Sequence, residues 1–358
     1  MNADRRSWLA GLLAYSFVVG ACELELERGK TKESPRARIV HTPVSPPPDL
    51  GSSVQPEPAA PQNPAPPASI ETEAAVEVVL TDMPSTWHFA VTPHHYYASI
   101  ESGVLLRVDR WSGKRTTLDD DSSSERLWLD DSALYAASLS GVLRIEHDSD
   151  TPIRLVDVEA VEELDGVLGL ALDDHFVYLT PFQNPGIFRV PKAGGTLEQI
   201  STQPRPGDIV VTETHIYFAS FFRNRIGRLP KAGGRTQSIV AHAAGPVALA
   251  LEDTTAVALL ETSGEVIAVD TNTRAHRRLA DAGQNPQAVA IAGGRAYFST
   301  GSIGPDDPTF IRRVALEGGP PQTLVQSEDA LSLLAVDDGW LYFSVAEADM
   351  ILRLRAEY

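Results

Sequence analysis

An all-β fold, a closed ring of seven four-stranded antiparallel sheets, is predicted by three observations. One aromatic column recurs at intervals of about 38 to 45 residues: Tyr97, Tyr135, Tyr178, Tyr217, Tyr297 and Tyr342, with Val257 in the fifth place. Upstream of it run two wholly apolar columns, six and eight residues away, separated by a mostly small one (Ala90, Trp128, Ala171, Val210, Ala250, Ala290, Ala335). Finally, the seventh repeat ends one strand short, while 76–80 reads as a strand with no repeat of its own. A ring of this kind is a seven-bladed β-propeller, and an N-terminal strand beside the C-terminal ones removes its free edge.

The clearest copy of the unit is 208–240. It reads as strands at 208–211, 216–219, 226–229 and 236–240, with the turn Pro230-Lys231-Ala232-Gly233-Gly234 before the last. Apolar columns on the first strand of each repeat mark it as buried on both faces, with alanine where sheets crowd around the axis. A third-strand column reads Arg107, Arg144, Arg189, Arg228, Ala268, Arg313 and Arg353. Recurring once per blade, these arginines are expected between blades, paired with turn acids, where ion pairs fix geometry more than they stabilise.

Connections divide between two rims. First-to-second turns are short and polar, as in Asp130-Asp131, Asp173-Asp174, Thr212-Glu213, Glu252-Asp253 and Asp337-Asp338, and they share a regular rim with the third-to-fourth turns. The opposite rim carries irregular loops at 119–125, 159–166, 181–186, 221–225 and 301–309. Irregular loops on a rigid scaffold are where binding residues concentrate.

The chain divides into a signal segment (1–21), a lipidated cysteine with a disordered Pro-rich tether (22–75) and the propeller (76–358). Arg5-Arg6 precede an apolar run over 8–19 that is too short to span a bilayer. Val19-Gly20-Ala21-Cys22 resembles the lipobox at which bacterial lipoproteins are cut and acylated; the competing reading is an uncleaved anchor. Cys22 is the one cysteine of the chain, which excludes intrachain disulfides and thiolate metal sites. Acyl chains on Cys22 would anchor the protein, at about 0.8 kcal/mol per buried CH₂. An exported envelope lipoprotein follows, with the outer membrane or the periplasm as its location, and general secretory and twin-arginine export both remain open. Eleven prolines between 35 and 67 prevent a packed core and leave a semi-rigid spacer of up to roughly 150 Å.

Residues 76–358 carry 23 basic and 39 acidic side chains. A body this acidic repels nucleic acid and anionic headgroups, so neither is an expected partner of the propeller.

The repeats IYFAS…RIGRLPKAGG (216–234) and VYLTP…GIFRVPKAGG (177–195) resemble the YWTD propellers of lipoprotein-receptor ectodomains, and also the NHL and TolB-like propellers. That resemblance implies a propeller that binds proteins or small ligands, some members being enzymes. Tyr217-Phe218-Ala219-Ser220 replaces the aromatic-acid signature, so receptor-type ligand binding does not carry over.

Paired aspartates at hairpin turns read as turn chemistry, since Asp bonds its own backbone there. Asp119-Asp120-Asp121 and Asp306-Asp307 depart from that pattern and leave a weak calcium site open. His94, His95, His175 and His215 fall beside turns of separate blades and do not converge; no HExxH, GxSxG or P-loop is present. The axial-mouth column is His88, Arg126, Gly169, Asp208, Ala248, Ala288 and Leu333, which lacks a carboxylate cluster. No metal and no cofactor is expected. The candidate binding rim comprises Phe182, Arg205, Phe221, Phe222 and Arg223, residue types enriched at interface hot spots. These observations read as a non-enzymatic binding scaffold for an envelope protein or small ligand. The competing reading is a lactonase-like hydrolase or lyase using His88, Arg126 and Asp208.

Overall fold

The computed structural model describes residues 64–356, apart from 73, 85, 101–102, 121–123 and 302–306. Cys22, the export signal and most of the tether lie outside the described residues. Seven antiparallel sheets are formed, five of consecutive strands and two that each also take in one strand from the N-terminal segment. Blade 1 consists of Thr86–Val91, His95–Ile100, Leu105–Asp109 and Arg115–Asp119. The innermost strands of blades 2 to 7 are Ser124–Leu129, Val167–Leu172, Ile209–Val211, Pro246–Glu252, Pro286–Ala292 and Leu331–Asp337. Successive innermost strands pack on one another, and that of blade 7 packs on that of blade 1, so the ring closes.

A single row of the antiparallel register explains the repeat. Ala90 faces Tyr97, Tyr97 faces Arg107 and Arg107 faces Thr116; Ala171, Tyr178, Arg189 and Glu198 repeat this in blade 3. All six tyrosines of the column are buried to 2% exposure or less. A small residue on the innermost strand leaves room for the ring, and burying so large an apolar surface is favourable as long as the hydroxyl finds a partner. The hydroxyls of Tyr178 and Tyr217 donate to Asp173 Oδ2 (2.8 Å) and to the Thr271 carbonyl (2.9 Å). Blade 5 has Val257 opposite Ala268, a smaller pair that needs no polar partner. In blade 4, Gly227 faces Phe218, and a Cβ there would stand 2.3 Å from the ring, so only glycine lets the phenyl lie across the strand.

Arg107 and Arg189 reach the next blade, at Asp150 and the Lys231 carbonyl, as the expectation of arginines between blades has it, but most partners are not turn acids. Arg107 reaches Asp150 in the third-to-fourth turn of blade 2, whereas Arg189, Arg228, Arg313 and Arg353 bond Glu198, Gln237, Gln322 and Glu77 on their own outermost strands. The reason is register, because each of these four stands directly opposite that residue. Aromatic side chains cover several of them: Arg189 lies over Phe176 at 4.7 Å and Arg353 over Trp340 at 4.0 Å.

Two first-to-second-turn acids bind lysines. Lys192 of blade 3 pairs with Asp130 of blade 2 at 2.8 Å, and Lys231 of blade 4 pairs with Asp173 of blade 3 at 2.5 Å. Burial raises the Asp173 carboxyl, but Lys231, the His175 and Phe176 N–H groups and the Tyr178 hydroxyl outweigh it and hold the group at about 2. Asp130 is likewise held well below the usual carboxylate range, by Lys192 and the Ser132 N–H and hydroxyl working against burial.

Closure follows the expected design. Val76–Leu80 is the outermost strand of blade 7 and pairs with Met350–Arg355. A further pairing was not expected from composition. Ile70–Glu71, within the segment read as tether, adds a fifth strand to blade 6 through Ile70 opposite Ser327 and Glu71 opposite Gln326. The Ser69 hydroxyl donates to Asp329 beside it.

Two outcomes test these assignments. A chain starting at residue 75 keeps one sharp thermal transition, whereas a chain starting at 82 exposes the blade 7 edge and self-associates on size-exclusion chromatography. For the turn pairs, Asp173→Asn leaves Lys231 without its carboxylate and costs about 1–3 kcal/mol at pH 7. The wild-type carboxylate contributes fully above its unfolded value near 3.8, and that contribution fades as pH falls through about 2. Urea unfolding at a series of pH values therefore shows a flatter acid limb in the variant across that window.

Candidate functional site

The axis has two ends, and the chain furnishes them differently. At the irregular-rim end, the innermost strand of most blades carries a register shift beside the mouth column, such as those between Thr86 and His88 and between Ser124 and Arg126. These bulges re-aim the column toward the mouth. His88, Arg126 and Asp208 are buried to 2%, 9% and 2% exposure. His88 and Arg126 adjoin, with 3.5 Å between Nε2 and Nη1. Asp208 joins blade 4 to blade 5: its carboxylate accepts the N–H of Ile209 at 3.0 Å and that of Leu249 at 2.8 Å. Gly169 cannot be enlarged, because a Cβ there would meet the Gly207 carbonyl oxygen and Thr180 Oγ1 at 2.6 Å. Among the described residues, no group of three His, Cys, Asp or Glu could hold a metal ion. Asp121 and Asp306 lie outside the described residues.

Around this mouth stand the rim candidates. Phe221–Arg223 forms a 3-10 turn, closed by Asn224 in the left-handed conformation. Phe221 and Phe222 meet edge to face at 5.4 Å, and Phe221 fits against Gly245, where a Cβ would approach its ring to 2.9 Å. Phe222 is 49% exposed, and the Arg205 guanidinium lies 3.9 Å from its ring centre. Arg223 is exposed, while Phe182 is half-buried on the neighbouring blade 3 loop beside Gly166. The structure thus joins Arg205, Phe221 and Phe222 in one patch, with Phe182 on the next loop. Sequence reasoning missed Gln203, buried and accepting from Arg225, and Asn224, whose side-chain oxygen accepts the Gly245 N–H at 3.1 Å. An Asn closing a short turn is the signal that could have pointed to the second.

At the regular-rim end lies a cavity of about 1090 Å³ that spans blades 2 to 5. Its inner part is lined by Trp128, Leu172, Val211 and Leu251, and its outer part by turn residues including Asp174, Glu213 and Asp253. His215 also lines it, and burial, then Arg228 and Arg274, lower its pKa, which favours the neutral ring at pH 7. This rim was read from sequence as structural. The one trace of the cavity there is Trp128, the large residue in an otherwise small column.

Comparison with known proteins places the fold. No family model matches the chain, and no curated protein matches it. Among solved structures, a streptogramin B lyase superposes with a TM-score of 0.63 at 14% identity, covering 78% of this chain and 97% of the other. The extracellular domain of a hybrid two-component system from B. thetaiotaomicron gives 0.59 at 15% identity, over 80% of this chain and 40% of that one. The designed Ika8 protein gives 0.53 at 12% identity, over 78% and 98%. Likeness at this level of identity speaks for architecture alone, and with the seven sheets traced above it makes the chain a β-propeller.

Proposed function

We propose that the chain is an exported, lipid-anchored binding module, with 1–21 as signal, Cys22 as the acylated residue, 22–75 as tether and the propeller as a scaffold for an envelope protein or ligand. The observation that carries this reading is the Phe222–Arg205 stack: an aromatic half in solvent, held by a guanidinium, on the irregular rim of a rigid ring. An aromatic and an arginine fixed together offer contact area at little further cost in side-chain order. Arg223 and Arg225 add positive charge on a chain of net charge −18, so the rim favours a partner that is acidic where it docks.

A second reading, a lyase or hydrolase acting at the axial mouth, is favoured by one observation: three ionisable side chains are buried there, and one propeller of similar fold is a lyase. Against it stands the bonding of Asp208, whose oxygens already hold the N–H of the adjacent Ile209 and, across the blade junction, that of Leu249. A carboxylate used this way serves as a clasp.

The wild-type chain, immobilised, captures a partner from envelope extract. Phe222→Ala combined with Arg205→Ala loses that partner at least about tenfold without changing the unfolding midpoint, and undiminished capture would overturn the rim assignment. Anchoring has its own readout: Cys22→Ala moves the protein from the membrane pellet to the soluble fraction, and persistence in the pellet would refute lipidation.

A further inference from the structure

We propose that the cavity at the regular rim is a second binding site, separate from the Phe222 patch, built for a small organic cation with an apolar body. Its shape supplies the first argument. A volume of about 1090 Å³, walled by Trp128, Leu172, Val211 and Leu251 toward the axis and by polar turns outside, suits a ligand with one apolar and one charged end.

The charge of the ligand follows from how the turns are used. At the first position of each turn, polar side chains are committed to structure. Asp173 holds Lys231, the Thr212 hydroxyl accepts the His215 N–H at 3.1 Å, and Glu252 accepts the N–H groups of Gly293 and Gly294. At the second position stand Asp174, Glu213 and Asp253, one from each of three successive blades, all exposed and lining the cavity. The same position holds exposed Asp131 in blade 2 and Asp338 in blade 7, which extends the negative field around this end of the axis. In blade 7, burial and then the adjacent Asp338 push the Asp337 carboxyl up, as expected where carboxylates crowd.

Two cations also line the cavity, and both are engaged. Lys231 is neutralised by Asp173, and Arg228 donates to Gln237 through Nε at 3.1 Å and Nη2 at 3.0 Å. Four carboxylates against these two cations leave the lining negative. An anionic ligand would meet that field, whereas an ammonium or guanidinium group is drawn in, and the Trp128 indole is the aromatic that cations favour most.

The test is calorimetric titration of the full chain with benzyltrimethylammonium, beside phenylacetate as the anion of similar size and glucose as a neutral polyol. The expected result is saturable binding of the cation at least about tenfold tighter than either control, weakening as salt is raised. In a variant carrying Asp174→Asn, Glu213→Gln and Asp253→Asn, that affinity falls about tenfold or more while the unfolding midpoint stays put, since all three side chains are exposed. A Trp128→Phe variant that folds weakens binding as well, and the surface variant decides the matter if it does not fold. Absence of saturable cation binding up to about 10 mM, equal binding of phenylacetate or glucose, or an unchanged affinity in the triple variant would overturn the proposal. None of these outcomes bears on Phe222, which lies on the opposite rim.

Discussion

Six of the seven blades bury a tyrosine ring between themselves and a neighbour, and much of the structure follows from packing that ring and meeting its hydroxyl. The small column on the innermost strand exists to admit the ring, and the arginine opposite is held in place by the outermost strand. Above the ring, the hydroxyl has to be met by something on the turns. Tyr97 meets His147 Nδ1, whose other ring nitrogen bonds the Asp130 carbonyl; Tyr178 meets Asp173, and Tyr217 meets a backbone carbonyl. The solutions vary from blade to blade while the demand stays the same, because an unmet buried hydroxyl costs more than any one of these bonds contributes. Regularity of that rim is therefore imposed from inside the ring.

This explains which parts were legible in the sequence. Columns set by burial, such as the tyrosines and the apolar residues six and eight places upstream, repeat because every blade meets the same packing problem. Closure was legible for a related reason: a missing strand at one end and a spare one at the other are both visible in the chain. The arginine partners were not, since Glu198 and Gln237 differ in type and become partners only through antiparallel register. Ile70–Glu71 escaped notice because two residues cannot display an alternation. The Phe222–Arg205 contact was half legible; residue types marked the loop, but Arg205 arrives from a different connection, 17 positions earlier in the chain. The cavity was hidden most completely, because concavity arises from how four blades meet and no single segment encodes it.

The two ends of the axis show how one scaffold separates its tasks. At the irregular end, ionisable side chains are buried and tied to the ring, as Asp208 is to Ile209 and Leu249, while exposed aromatic and basic residues lie further out. At the regular end the order reverses, with apolar side chains at the axis and carboxylates around it. A local basic patch, Arg205, Arg223 and Arg225, thus lies on the rim opposite the carboxylates Asp174, Glu213 and Asp253. A partner that discriminates between the rims would do so first by long-range attraction and only then by shape.

The route of the N-terminal segment has a mechanical consequence. Residues 69–71 are fastened to blade 6 before the chain crosses to complete blade 7. Any tension drawn along the preceding segment thus arrives at a two-residue pairing, and is spent peeling it, before it can reach the strand that locks the ring. The short pairing acts as a fuse: it yields and re-forms at low force, while the longer closure strand behind it stays seated.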